Sequence, residues 1–119
     1  MVDVKLLAEW FWTDRWIGSS AFLLSLEARG LYREMLTQAW RRGARLPLDA
    51  ESIKRAVAAT DAEFARAWPL ITTYWHERDG VLINDTQVAV YTEAQLRVQT
   101  ASERGVKGAR ARWGGNGRG

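Results

Sequence analysis

The stretch that decides the fold is Trp75-His76-Glu77-Arg78-Asp79-Gly80-Val81-Leu82-Ile83. Asp79-Gly80 stands between two strand-like runs. A two-residue turn of this kind needs positive φ, which Asp tolerates and Gly favours, so the stretch predicts a β-hairpin. The hairpin separates a helical bundle with a β wing from a plain bundle of helices.

Upstream of it, Thr60 or Asp61 begins a helix whose apolar stripe is Phe64, Ala67, Trp68, Ile71 and Trp75. Pro69 lies inside that helix and removes a backbone donor, which predicts a kink or shift. Before it, Asp49 is a good N-cap for a helix over 50–58, with Ile53, Ala56 and Val57 inward. Arg45-Leu46-Pro47-Leu48 suits an edge strand of two or three residues.

The strongest helical signal precedes these. Ala28, Leu31, Tyr32, Met35, Leu36, Ala39 and Trp40 recur at three- and four-residue spacing behind an N-cap at Ser25. Gly43 stops that helix in a left-handed conformation, and Arg41 and Arg42 occupy its last turn, where cations are favoured. The first 22 residues are aromatic-rich and read as an extended or irregular segment, or with Trp12 and Trp16 on one helical turn. Downstream of the hairpin, Asn84 with Gln87 resembles a capping box. Val88, Tyr91, Ala94, Gln95 and Val98 then make a last helix that fades near residue 104.

The order helix, short strand, helix, helix, hairpin, helix is the layout of a winged helix. The expected fold class is mainly α with a small β hairpin, a helix-turn-helix variant with a flexible basic C-terminal tail. The expected division is a winged-helix domain with an aromatic N-terminal segment over 1–97 and a Gly/Arg-rich tail over 98–119.

Charge supports that division. Residues 1–96 carry 11 Lys/Arg and 13 Asp/Glu, a net −2; residues 97–119 carry six basic residues and one acid, a net +5. Six of the ten glycines fall in the same final segment. With 119 residues the chain suits one domain. It has no cysteine, which removes disulfides and thiolate chemistry, and one histidine, which removes a two-His metal site. No apolar run approaches the roughly 20 residues that span a bilayer. Asp3 and Glu9 interrupt the pattern of a signal peptide, so a cytoplasmic protein without membrane contact is expected.

Nearly the whole chain, from Trp10 to Trp113, resembles the YdaU-like prophage proteins. The residues that carry the resemblance are Leu26 to Tyr32, Trp40-Arg41-Arg42-Gly43, Leu46-Pro47-Leu48-Asp49, Trp68-Pro69 and Lys107 to Trp113. The resemblance implies a winged-helix DNA-binding protein encoded near phage replication genes, with no enzymatic activity and no cofactor. It implies a role in replication initiation or its control. The alternatives are an adaptor of a phage replisome, loading a helicase or binding a host factor, and a transcriptional regulator.

Candidate nucleic-acid contacts follow from charge and ring chemistry. Arg104, Lys107, Arg110 and Arg112 in the tail can neutralise phosphates, and Trp113 can stack on an unpaired base; the alternative is a solubilising tail or helix remnant. In the third helix only Arg66 is basic, beside Asp61 and Glu63, which argues against simple reading of base edges. Lys54, Arg55 and Arg78 are further candidates for phosphate. Arg41, Arg42 and Arg45 cluster where the first long helix ends, and serve either phosphate or that helix's own carbonyls. Trp40, Trp68 and Trp75 read as core. Trp10, Trp12 and Trp16 either cover the helix or form an exposed patch for a partner protein or a second copy in a homodimer. His76, Glu77 and Asp79 read as hairpin residues rather than a catalytic or metal-binding group.

Overall fold

A computed structural model describes residues 6–109. The chain is mainly helical with one small antiparallel hairpin: α1 Thr13–Ile17, α2 Leu26–Arg41, α3 Ala50–Val57, α4 Asp61–Ile71, β1 His76–Arg78, β2 Val81–Ile83 and α5 Asp85–Ala109. Short 3-10 turns at Ser20–Leu23 and Thr72–Tyr74 link α1 to α2 and α4 to β1.

The hairpin forms at the expected residues. His76 faces Ile83 and Arg78 faces Val81, which leaves Asp79-Gly80 as the two-residue turn, with φ of 53° and 81°. Both φ values are positive, as a turn matched to strand twist requires. β1 is exposed throughout, while Leu82 and Ile83 of β2 face the core. The stretch 45–48 contributes less than the expected strand of two or three residues. It pairs at Leu46 alone, whose N–H and C=O exchange bonds of 2.9 and 2.8 Å with Leu82. Pro47 has no N–H with which to extend the ladder.

α2 begins where Ser25 Oγ accepts from Ala28 N at 3.2 Å. Its buried stripe is Ala28, Leu31, Tyr32, Met35, Ala39 and Trp40. At its end Gly43 N–H bonds Trp40 O and Ala44 N–H bonds Ala39 O, the paired bonds that satisfy terminal carbonyls. Gly43 has φ of +84° and Ala44 follows at +67°, so two successive residues are left-handed where one was expected. Of the two candidate caps for α4, Thr60 takes the position: its Oγ1 accepts from Glu63 N, and Glu63 Oε1 accepts from Thr60 N. α4 runs through Pro69 to Ile71, then tightens into the 3-10 turn. Trp75, expected on the stripe of α4, instead lies beyond that turn and is buried there.

The N-terminal aromatics take the helical option: Trp16 N–H bonds Trp12 O at 3.0 Å, opening α1. Half of the expected box at α5 forms, with Asn84 Oδ1 accepting from Gln87 N at 2.9 Å. The Gln87 side chain does not turn back; its Nε2 donates to Leu36 O at 2.6 Å and pins α5 to α2. α5 does not fade near 104. It crosses position 97 unbroken to Ala109, so residues 98–109 are helix rather than the expected flexible arm. Its exposed side carries the helix-spaced pairs Arg97–Glu93 at 2.8 Å and Gln99–Glu103 at 3.2 Å.

The core joins α2, α3, α4 and β2 through Met35, Leu46, Ile53 and Ile71, each almost wholly buried. A smaller cluster of Trp40, Val90 and Ala94 seats α5, with Leu6 and Trp10 of the N-terminal arm against it. Around the core, Arg66 holds the Glu27 carboxyl below its usual value, Ser52 bonds do so for Asp49, and the Lys54 ammonium does so for Asp61. A depressed carboxyl contributes stability that is present above the unfolded-state value near 4 and is lost as pH falls through the folded value. Thermal midpoints measured from pH 7 down to 2 are expected to hold until about pH 4 and then decline. Asp61→Asn should shrink the decline.

Candidate nucleic-acid interface

The basic residues divide by what they touch. Arg66 grips Glu27 with two bonds, Nε–Oε1 2.9 Å and Nη2–Oε2 2.7 Å, tying α4 to the first turn of α2. Lys54 pairs with Asp61 at 2.8 Å and with Glu51. Asp61 and Glu51 push the Lys54 ammonium above its ordinary value, and Glu27 does the same for the Arg66 guanidinium. Arg78 shares Asp85 with His76, each at 3.3 Å. Three of the expected phosphate ligands are therefore turned onto carboxylates. The outward face of α4 presents Asp61, Glu63 and Ala65 beside the paired Arg66.

A second group forms no ion pair among the described residues: Arg15, Arg29, Arg41, Arg42, Arg45, Arg55, Arg104 and Lys107, of which Arg15 and Arg29 lie over the rings of Trp12 and Phe22. Arg42 does the work expected of a helix-end cation, donating to Gln38 O at 3.0 Å and Gln38 Oε1 at 2.9 Å. Arg41 reaches only Gln38 Oε1 at 3.4 Å, and Arg45 lies across Gly43.

The packing of α2 on α5 sets the direction in which α5 leaves the end of α2. Gln87 bonds Leu36, and one turn further along each helix Tyr91 meets Trp40 edge to face at 4.8 Å. The two helices thus advance in the same sense. α2 stops at Arg41, and α5 continues past it with Arg97, Arg104 and Lys107. Arg41, Arg42 and Arg45 therefore sit at the end from which the basic half of α5 projects. Arg55 lies on α3, apart from this helix pair. Arg110, Arg112 and Trp113 lie outside the described residues.

The expected tryptophan patch is only partly exposed. Trp16 stacks on Tyr32 at 5.7 Å and packs against the core. Trp10 lies under the Arg97 guanidinium at 5.6 Å and against the Trp40 cluster. Trp12 is exposed, edge-on to Trp10 at 6.3 Å, with Arg15 over its ring at 5.2 Å. The arm is clamped by residues that sequence reading left without a role. Glu9 takes a bond from Thr37 at 2.7 Å and pairs with Arg33 at 3.5 Å, and the Arg33 guanidinium covers Phe11 at 3.7 Å. Between arm, α2 and α5 lies an aromatic cavity of about 230 Å³.

Asn84 closes the inner side of this region. Its Nδ2 donates to Tyr32 Oη at 3.0 Å and Tyr74 O at 2.9 Å, while Oδ1 caps α5. Burial raises the Tyr32 phenol above its ordinary value, so the ring is neutral in this setting. No metal-binding group of three or more His, Cys, Asp or Glu occurs among the described residues. No described helix is long and apolar enough to cross a membrane. No protein-family model, curated protein or solved structure matches the chain.

Proposed function

We propose that the chain is a winged-helix nucleic-acid-binding module that attaches through phosphates at the end where α2 stops and α5 continues. The element order supports the winged-helix reading, as does the Leu46–Leu82 bridge, which sets the segment before α3 beside the second strand of the hairpin. The observation that carries the function is the run of unpaired cations where α2 ends. Lys54, Arg66 and Arg78 are held by carboxylates, whereas Arg41, Arg42 and Arg45, with Arg104 and Lys107 further along α5, form no ion pair among the described residues; Arg15, Arg29 and Arg55 are likewise unpaired elsewhere on the chain. Such an array binds backbone charge and carries little base-reading chemistry. A role in DNA replication initiation or its control rests on the resemblance to YdaU-like proteins.

The test is binding of labelled duplex and single-stranded DNA across a salt series. Replacing Arg41, Arg42 and Arg45 together by Ala is expected to flatten the log–log salt slope by about 2–3 units, at roughly 0.9 per lost phosphate contact. Arg66→Ala should leave the slope unchanged. Equal binding by the triple variant and the parent chain, or no binding at low salt, refutes the reading.

One observation favours a replisome adaptor instead. Ile17, Leu23 and Leu26 are each more than half exposed within a single short stretch of chain. A host or phage protein that binds the chain at high salt, and is lost on replacing these three by Ser, supports that second reading.

A further inference from the structure

α5 outgrows the body that holds it. Ala94 is its last buried residue among those described, and from Leu96 to Gly108 every residue is exposed except half-buried Gln99. In this projecting half the charges are sorted by side. At 3.6 residues per turn, Arg97, Thr100, Arg104 and Lys107 recur at spacings of three and four and share one side of the helix. Arg97 is tied to Glu93, while Arg104 and Lys107 form no ion pair among the described residues. Glu103, the single acid beyond Glu93, lies off that side and takes a bond from Gln99 at 3.2 Å. The helix that helix-turn-helix order would lay in a groove has the opposite character. α4 follows α3, but its outward face holds Asp61 and Glu63 beside an Arg66 already gripped by Glu27. Carboxylates in that place repel phosphate.

We propose that the projecting half of α5 seats in the major groove of B-form duplex DNA, with Arg41, Arg42 and Arg45 at its root on the bordering phosphates. The proposal rests on the phosphate reading and adds to it the form of nucleic acid that is bound. An α-helix with its side chains is about 10–12 Å across, and the major groove of B-form DNA is about 12 Å wide. From Arg97 to Lys107 the helix rises about 15 Å, which is roughly four phosphate steps along one strand. Arg104 and Lys107 then meet the backbone at the groove's edge. Duplex RNA carries the same charge, but its major groove is deep and narrow and does not admit side chains. Single strands are held largely by stacking on aromatic rings, and residues 92–109 contain none. The seating needs no reading of base edges: a helix that fills the groove covers guanine N7 whether or not a side chain bonds it.

The experiment uses the full chain and three probes of one mixed sequence and equal length: a DNA duplex, an RNA duplex, and a single DNA strand. Fluorescence anisotropy reports affinity, and dimethyl sulfate reports access to guanine N7 on the bound duplex. The DNA duplex is expected to bind about tenfold more tightly than the RNA duplex, which cannot engage Arg104 and Lys107 in the same way. Its guanine N7 atoms are expected to be protected. Gly105→Pro interrupts the helix without changing its charge. Gly105 lies off the basic side, and a side chain there meets nothing within 4 Å, so the body folds as before; thermal melting by circular dichroism checks this. The Pro variant should bind the DNA duplex about tenfold more weakly and lose the protection, whereas Gly105→Ala keeps both. Equal affinity for the two duplexes, or N7 left open on the bound DNA, overturns the groove seating and leaves phosphate binding in place. Unchanged duplex binding by Gly105→Pro does the same. Tighter binding of the single strand than of the DNA duplex overturns the seating in favour of strand binding. No binding of any probe at low salt overturns the phosphate reading and the seating together.

Discussion

Asn84→Ala is expected to destabilise the chain by about 3 kcal/mol, from two lost side-chain bonds at roughly 1 kcal/mol each and a lost helix cap at roughly 1. Asn84 is 4% exposed and uses both ends of its amide. Nδ2 reaches Tyr32 Oη and Tyr74 O, and Oδ1 receives Gln87 N. Ala leaves the Tyr74 carbonyl and the Gln87 amide without these partners in a region too enclosed for full hydration. Asn84→Asp is the sharper comparison. It keeps the cap and complements the helix dipole, but replaces the donor facing Tyr74 O with an acceptor. Urea denaturation should place Asp between Asn and Ala if capping is the larger contribution. Asn and Ala variants of equal stability would show that Asn84 does not hold this junction.

Leu46→Ala is expected to cost about 3 kcal/mol, within the roughly 2–5 seen for emptying a buried Leu site. Leu46 is 1% exposed and belongs to the cluster that joins α2, α3, α4 and β2. The change also loosens the hairpin, because the backbone of Leu46 is the partner of Leu82. Amide exchange should distinguish the two effects. With the bridge intact, the Leu82 amide exchanges only as fast as the destabilised whole unfolds. If the bridge opens, Leu82 exchanges faster than Ile53, which sits in the same core. Leu46→Pro goes further, since it removes the N–H that Leu82 O accepts.

Local chemistry was legible in the sequence, and distant partnerships were not. Ser25, Gly43, Thr60 and Asp79-Gly80 each act within four residues of themselves, and each does in the structure what its type predicts. The buried stripe of α2 follows in the same way from spacing alone. The spacing of Gln87 from Asn84 predicts a capping residue because that bond is local; its bond to Leu36, 51 positions away, leaves no trace in the sequence. The charge of Arg66 and Lys54 was visible, but their partners Glu27 and Asp61 were not. Free basic residues therefore could not be told from neutralised ones. The clamp of Glu9 on Arg33 and Thr37 was hidden for the same reason. Gly105 and Gly108 are poor helix formers, each worth roughly 1 kcal/mol against Ala, so the sequence predicts an end to α5 near 104, whereas the helix reaches Ala109. α5 starts from a nucleus seated in the body, so extending it needs only propagation.

That last point sets the entropy of whatever the projecting end of α5 meets. Residues 96–109 rise about 21 Å at roughly 1.5 Å per residue, which makes a rod rather than a tether. A coil of the same length loses roughly 1–2 kcal/mol of backbone freedom per residue when a partner orders it. For α5 that loss has already occurred during folding. Arg104 and Lys107, three residues apart, share one helical face at a fixed spacing, so the rod presents a geometry as well as a charge. A surface whose own charges match that spacing meets no ordering penalty, and one that does not match can be met only by fraying the helix back toward its glycines.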